Sequence, residues 1–219
     1  MTIQLFAHPF SSYCWKALIA LYENGTPFDY RPLDPDHPDN GSEWATLWPL
    51  RKMPVLVDEG QTILETSVII EYLDGTYPGP ARLIPADPAA AIEVRMLDRI
   101  FDNYVMTPMM KHVSDAMRVG DAKDPSGVAD AGVMLDGIYA WLDSRLAGRA
   151  WAAGDTFGLA DCAGAPALFY ADWVRPISAE HGVLRDYRAR VLARPSVARA
   201  VEEARPYRAF FPLGAPDRD

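Results

Sequence analysis

The chain has 219 residues, 49% hydrophobic, 23% charged and 11% aromatic, a composition that excludes disordered, collagenous and membrane-embedded classes and leaves room for one large domain or two small ones. With 21 Lys+Arg against 30 Asp+Glu the formal net charge is -9, so nucleic acid and anionic membrane surfaces repel the molecule as a whole. Two cysteines, Cys14 and Cys162, build neither a disulfide framework nor a metal cluster and fit a reducing compartment.

The opening Met1-Thr2-Ile3-Gln4-Leu5-Phe6 lacks the basic start and apolar run of a signal peptide, and a cytoplasmic location is expected. Ile3–Phe6 is short and β-prone, and Tyr13–Asn24 carries an apolar stripe at 14, 17, 18, 21 and 22 that predicts a helix closed by Gly25. Phe28–Leu33 alternates and contains Pro32, which predicts a strand at its end or at a sheet edge. A short helix is expected around Ser42–Leu47. Val55–Val57 and Thr62–Leu64 flank Asp58-Glu59-Gly60-Gln61 and predict a hairpin, followed by a helix Ser67–Leu73 stopped by Gly75. The order βαβαββα describes a small mixed sheet with helices on its faces, and a thioredoxin-like layout is its simplest match.

Prolines 78, 80, 85 and 88 crowd the stretch from Thr76 to Pro88, where neither helix nor strand survives. Charge changes across it: residues 1–80 hold 4 basic and 11 acidic groups, residues 81–219 hold 17 and 19. The expected organisation is a first domain at 1–77, a linker at 78–88 and an all-α domain at 89–219. In that second half, Asp87-Pro88 and Asp124-Pro125 each pair an N-cap acid with a first-turn proline and open two long helices, the first bent at Pro108. Shorter helices are predicted at Leu159–Tyr170, Leu184–Ala193 and Pro195–Glu203.

Three motifs carry candidate chemistry. Phe10-Ser11-Ser12-Tyr13-Cys14 lies where the first strand meets its helix; a helix start gathers free N–H groups that stabilise an anion, and Ser11 or Ser12 either donates to such a group or simply caps the helix. In Ser11-x-x-Cys14 the exposed position of a redox Cys-x-x-Cys pair holds serine, which excludes an internal disulfide; Cys14 itself is a small buried hydrophobe or a thiol lowered in pKa by the helix start. Met53-Pro54 precedes a strand, and a cis bond there turns the Met53 backbone outward to pair with an extended peptide. Glu65-Thr66-Ser67 opens a helix, either as an ordinary first-turn acid with a hydroxyl cap or as a clamp for an α-amino acid head group.

Taken together, HPFSSYCWKALIALYENG, RKMPVL, LETSVIIEYL and WAAGDTFGLADCAGAPAL make the chain resemble a cytosolic glutathione transferase of the serine type, zeta-like or theta-like, over nearly its whole length. The resemblance implies an N-terminal thioredoxin-like α/β domain followed by an all-α domain, glutathione as co-substrate, no metal, and a homodimer formed through the first long helices and the thioredoxin-like domain. It makes Ser11 the catalytic hydroxyl, with Ser12 beside it. Met53 would contact the cysteinyl unit, with Pro54 cis, and Glu65 and Thr66 would hold the γ-glutamyl end. Lys52 and Asn40 or His37 would face the glycyl carboxylate. Phe10, Met106, Met109 and Met110 would line the electrophile pocket, and Asp98 or Asp102 would approach the neighbouring subunit.

This chain also departs from the family pattern. Phe6-Ala7 stands where a tyrosine-type enzyme needs its tyrosine, Trp48 replaces the asparagine often found before the proline of the cis-proline loop, and the usual Ser/Thr-x-x-Asp box is Gly158-Leu159-Ala160-Asp161, in which Asp161 reaches back to the Gly158 N–H and one capping bond is missing. The reaction implied is attack of glutathione thiolate on an electrophilic carbon by conjugation, substitution or glutathione-assisted isomerisation. Two other functions compete: a glutathione-dependent reductase or deglutathionylating enzyme acting through Cys14, and a non-catalytic binding or scaffold protein on the same fold.

Overall fold

A computed structural model of the chain describes residues 3–219; the first two positions of the expected N-terminal domain lie outside the described residues. The sheet has four strands in the order β2-β1-β3-β4. Strand β1 (Ile3–Ala7) is central, parallel to β2 (Phe28–Pro32) and antiparallel to β3 (Val55–Asp58), which turns back into β4 (Gln61–Ile63). Pro32 closes edge strand β2, where a missing N–H costs no ladder bond. Glu59 and Gly60 both have positive φ, 49° and 82°, the backbone that a two-residue hairpin turn requires.

Helix α1 (Ser12–Asn24) begins at an extended Ser11 and ends at Gly25, whose left-handed φ of 59° lets its N–H reach the Leu21 and Tyr22 carbonyls. Helix α2 (Pro38–Leu47) starts four residues before the expected Ser42, because Pro38 occupies the first-turn position it favours. Helix α3 (Thr66–Thr76) runs through Gly75. That glycine lacks the positive φ of a terminating cap, so it does not stop the helix.

Between Thr76 and Pro88 no regular element forms, yet the segment is strapped down. Asn24 Oδ1 accepts the Ala81 N–H at 2.9 Å and Asp74 Oδ1 the Leu83 N–H at 2.8 Å. Helix α4 (Pro88–Ile100) then passes through a π-helical stretch, Phe101–Met106, into α5 (Thr107–Ala116). The irregularity lies directly before Pro108, which sits inside a continuous helical stretch and whose missing N–H and ring cannot continue the regular ladder. In the widened turn Asp102 O accepts both the Thr107 N–H and, at 3.0 Å, the Thr107 hydroxyl.

The remaining helices are α6 (Pro125–Arg145), α7 (Leu159–Val174), α8 (Gly182–Leu192) and α9 (Pro195–Ala204). Helix α7 is buried from Leu159 to Trp173, as its almost unbroken apolar sequence demands. It also fuses the two halves: Trp15 of α1 stacks on Phe169 and Tyr170, with centroids 4.8 and 5.4 Å away. One face of α1 therefore belongs to the sheet's core and another to the helical core.

The start of α7 has the expected half of the capping box: Asp161 reaches back to the Gly158 N–H at 2.9 Å, and no side chain caps the Asp161 N–H, which instead donates to Gly158 O at 3.0 Å. The other Asp161 oxygen accepts Ala152 N–H at 2.9 Å and the Tyr187 hydroxyl at 2.7 Å. Burial pushes this carboxyl up to about 6. Glycine is required at 158 because a Cβ there would lie 2.8 Å from the Leu83 carbonyl oxygen. Introducing a capping hydroxyl with G158S is thus expected to cost about 1–3 kcal/mol, and D161A, which strands three buried donors, about 3–5 kcal/mol. Urea denaturation of both variants checks this; a stabilised G158S would refute the steric reading.

Candidate active site

The turn between β1 and α1 is tied at every residue. His8 Nδ1 accepts the Phe10 N–H at 3.1 Å and His8 O the Ser11 N–H at 3.0 Å. Burial lowers the His8 pKa, which keeps the imidazole neutral and its nitrogen an acceptor. Trp15 Nε1 donates to Pro9 O at 2.5 Å, and the Tyr170 hydroxyl donates to Phe10 O at 3.0 Å from the helical half.

Ser11 Oγ accepts the Cys14 N–H at 3.4 Å and so caps α1, leaving its own proton to donate elsewhere. Among the described residues the Ser12 and Tyr13 N–H groups take no partner, as first-turn donors do not. Ser12 is buried and Ser11 half-buried. Tyr13 is raised to about 12, first by burial and then by the Asp102 charge, and stays a neutral phenol. Cys14 is fully buried and pushed up to about 11 by desolvation. The helix start does not lower its pKa; loss of solvent outweighs the dipole.

The Met53-Pro54 bond is cis. Ahead of it, Arg51 adopts a φ of 51° and donates its N–H to Trp48 O at 2.8 Å, while Trp44 Nε1 holds Lys52 O at 2.9 Å. Trp48 thus serves the loop through its backbone. The Met53 N–H and C=O have no partner among the described residues, and the Arg51 and Lys52 side chains are exposed and unpaired.

Glu65 is exposed, with a φ of 65° and ψ of 116°, a region sparsely used outside glycine that costs roughly 1–3 kcal/mol and concentrates at functional sites. Thr66 is buried behind it. Beneath this corner lies a charged cluster that sequence reasoning missed. Lys16, 1% exposed, pairs with Asp98 at 2.5 Å and Asp102 at 2.7 Å and donates to Ser67 Oγ at 2.9 Å. Ser67 Oγ donates to Asp98 at 2.8 Å, and Arg99 closes the ring against Ser67, Asp98 and Asp102. Asp98 and Asp102, expected to approach a neighbouring subunit, are here engaged with Lys16 and Arg99 of their own chain.

A cavity of about 430 Å³ opens over these elements. One wall is Phe10, Ser11, Ser12, Tyr13 and the Arg51-Lys52-Met53 loop; the opposite wall is Met109, Met110, Val113 and Met117; Tyr170 and Phe210–Pro212 close it. Four of the chain's eight methionines line this one space. Met106 does not: it is 1% exposed within the helical core. Asn40 is engaged elsewhere, accepting from Arg31 Nε at 2.8 Å and donating to Pro32 O at 2.9 Å, and His37 pairs with Asp34 at 2.7 Å. Pro54, Glu65 and Thr66 stand outside the lining. Sequence reasoning missed Arg51, Met117, Tyr170 and Phe210–Pro212 as lining residues, since only folding brings them together.

A glutathione S-transferase N-terminal domain family matches residues 5–81, and a glutathione S-transferase C-terminal domain family matches residues 125–193, together more than half the chain. The chain belongs to the glutathione S-transferase family. A stringent starvation protein A homolog from Coxiella burnetii is 28% identical over 165 residues, 75% of this chain and 74% of that protein. The maleylacetoacetate isomerase of Mus musculus is 32% identical over 120 residues, 53% of this chain and 54% of that one. Among solved structures, a glutathione S-transferase from Methylobacterium radiotolerans in complex with glutathione sulfonate is 27% identical, with a TM-score of 0.79 over 92% of this chain and 95% of its own.

Burial of both cysteines generates a direct prediction. Iodoacetamide at neutral pH is expected to leave Cys14 and Cys162 unmodified in the folded transferase and to alkylate both in denaturant, as read by intact mass. Rapid labelling of Cys14 in the native protein would overturn its assignment as a core side chain.

Proposed function

We propose that this transferase binds glutathione with its thiol at the cavity and its γ-glutamyl end beyond the lining, holds the thiol as thiolate, and directs it at an electrophilic carbon of an apolar small molecule. The observation that carries the reading is the start of α1, where the Ser11 hydroxyl and two unpartnered N–H groups open onto a cavity with an apolar far wall. Ser11 donates to the sulfur, which favours its ionised form. Met53 offers its free N–H and C=O to the cysteinyl unit as an added strand would. Exposed Glu65 takes the γ-glutamyl ammonium and Thr66 its carboxylate. Lys52, joined by Arg51, takes the glycyl carboxylate; this local cationic edge offsets the repulsion of an anionic ligand by a chain of charge -9.

A free thiol of pKa ~8.5 is a few per cent ionised at neutral pH, and lowering it by about two units makes thiolate the major form, a gain of roughly tenfold to thirtyfold. Orientation against the methionine wall supplies the rest. In the reaction an S–C bond forms; a leaving group departs with its electron pair, or the carbon acceptor takes a proton from water. Burial of Cys14 argues against the reductase reading. A binding or scaffold role is the second reading, since one relative, the stringent starvation protein A homolog, carries a name that states no transferase activity.

Dimerisation is part of the proposal. Val68 of α3 and Ile92 and Met96 of α4 are large apolar side chains exposed at 53, 67 and 43%, and a second copy of the chain would cover them. Light scattering is expected to give a dimer for the wild type and a monomer for I92D/M96D; a monomeric wild type would sink this part.

The central test is S11A. Thiolate absorbance of bound glutathione is expected to show an apparent pKa returning toward about 8.5, with turnover near neutral pH reduced roughly tenfold to thirtyfold. An unchanged pKa with intact activity would remove Ser11 from the mechanism. A panel of maleyl isomers, aryl halides, epoxides and peroxides separates the reaction types, and glutathione binding without any turnover would favour the scaffold.

A further inference from the structure

Among the described residues two arginines, Arg51 and Arg185, have side chains with neither a hydrogen bond nor an ion-pair partner; the other arginines are held by carboxylates or backbone carbonyls. An unpaired guanidinium is unusual in a chain with nine more acids than bases. Each of the two lines a cavity. Arg51 faces the site described above. Arg185 faces a separate cavity of about 450 Å³ between the end of α7, the loop at Pro176-Ile177, helix α8 and the C-terminal segment.

Three guanidiniums, from Arg185, Arg188 and Arg218, line this second cavity against one carboxylate, Asp172. Asp172 is already occupied: Oδ1 accepts the Ile177 N–H at 2.8 Å, and Oδ2 holds Arg218 and, at 3.5 Å, Arg188. The nearby Asp219 is held by Arg205 and Arg208. Arg188 is the most telling member. Its side chain is 12% exposed and anchored through Nε to Leu168 O at 3.3 Å, yet Nη2 finds no hydrogen-bond acceptor. Desolvation holds the guanidinium below its ordinary pKa, a cost that a further anion would offset.

We propose that this cavity is a second binding site, distinct from the glutathione site, for the oxyanion group of a small polyvalent metabolite, held by the free Arg185 and the under-satisfied Arg188. Planar guanidiniums converging on one space match the paired oxygens of phosphoryl and carboxylate groups. Lysine, which binds as a point charge, is absent from the lining.

The test uses the whole chain with the first cavity filled by millimolar S-methylglutathione. Thermal unfolding is followed in sodium pyrophosphate, sodium citrate and sodium chloride at equal ionic strength, and calorimetry counts the sites. At least one polyvalent anion is expected to raise the melting temperature beyond chloride and to bind once per chain. Pyrophosphate alone would identify a phosphoryl ligand, citrate alone a carboxylate one. R185E, on an exposed position without contacts, is expected to weaken that binding by roughly tenfold or more while leaving transferase turnover intact; R185Q, which removes only the charge, serves if R185E folds poorly. Equal behaviour of all three salts, or equal binding by wild type and the Arg185 variants, would overturn the site. Because the comparison is local to Arg185, it stands whether or not S-methylglutathione occupies the first cavity.

Discussion

Helix α1 is buried on two sides, and everything at the candidate site depends on that. Leu18 and Leu21 face the sheet's core while Trp15 and Ile19 face the helical core. A helix clamped between two cores cannot shift along its axis without opening both. Its first turn, with Ser11 and the unpartnered N–H groups, therefore stands at a constant position relative to the methionines of α5. The Tyr170 bond to Phe10 O and the Trp15 bond to Pro9 O fix the approach to that turn from outside.

Lys16 adds a polar version of the same constraint one turn further along. A lysine 1% exposed is tolerable because two carboxylates and a hydroxyl surround it, and breaking such a set strands a buried charge. The cluster reaches α1, the start of α3 and the helix from Asp98 to Asp102, so it sets the corner that carries Glu65 and Thr66 against the corner that carries Ser11. Glu65's uncommon backbone stands at the start of α3, where its carbonyl accepts the Ile69 N–H at 2.9 Å. The distance between the Ser11 corner and the Glu65 corner is thus governed by buried charge, and the apolar wall by thioether packing, which adapts readily to shape.

The cysteine chemistry illustrates how burial outranks motif. A cysteine three residues past a helix N-cap invites a thiolate reading, yet Cys14 faces the sheet's core and is pushed up to about 11. The same motif position leaves Ser11 half exposed and aimed at the cavity. Neighbours in sequence one helical turn apart end in opposite environments, and that difference allots the polar work to serine and the packing to cysteine.

Much of the fold was legible from residues close together in the chain. Ser11 and Gly25 bracket α1, Asp87 and Asp124 cap their helices through Ala90 and Gly127, and Glu59-Gly60 turns the hairpin; each is a bond or dihedral within three or four positions, so spacing reveals it. Even there Gly75 misled, because a glycine ends a helix only if its backbone takes the left-handed conformation. The site was legible in part: Ser11, Met53 and Lys52 stand out by motif, whereas Asn40 is drawn off by Arg31 and Met106 by the core. Only tertiary structure decided the partners of Lys16, the need for glycine at 158, the methionine wall and the unpaired state of Arg185. Burial and charge pairing depend on groups dozens of residues away, and no local pattern records which distant side chain will arrive.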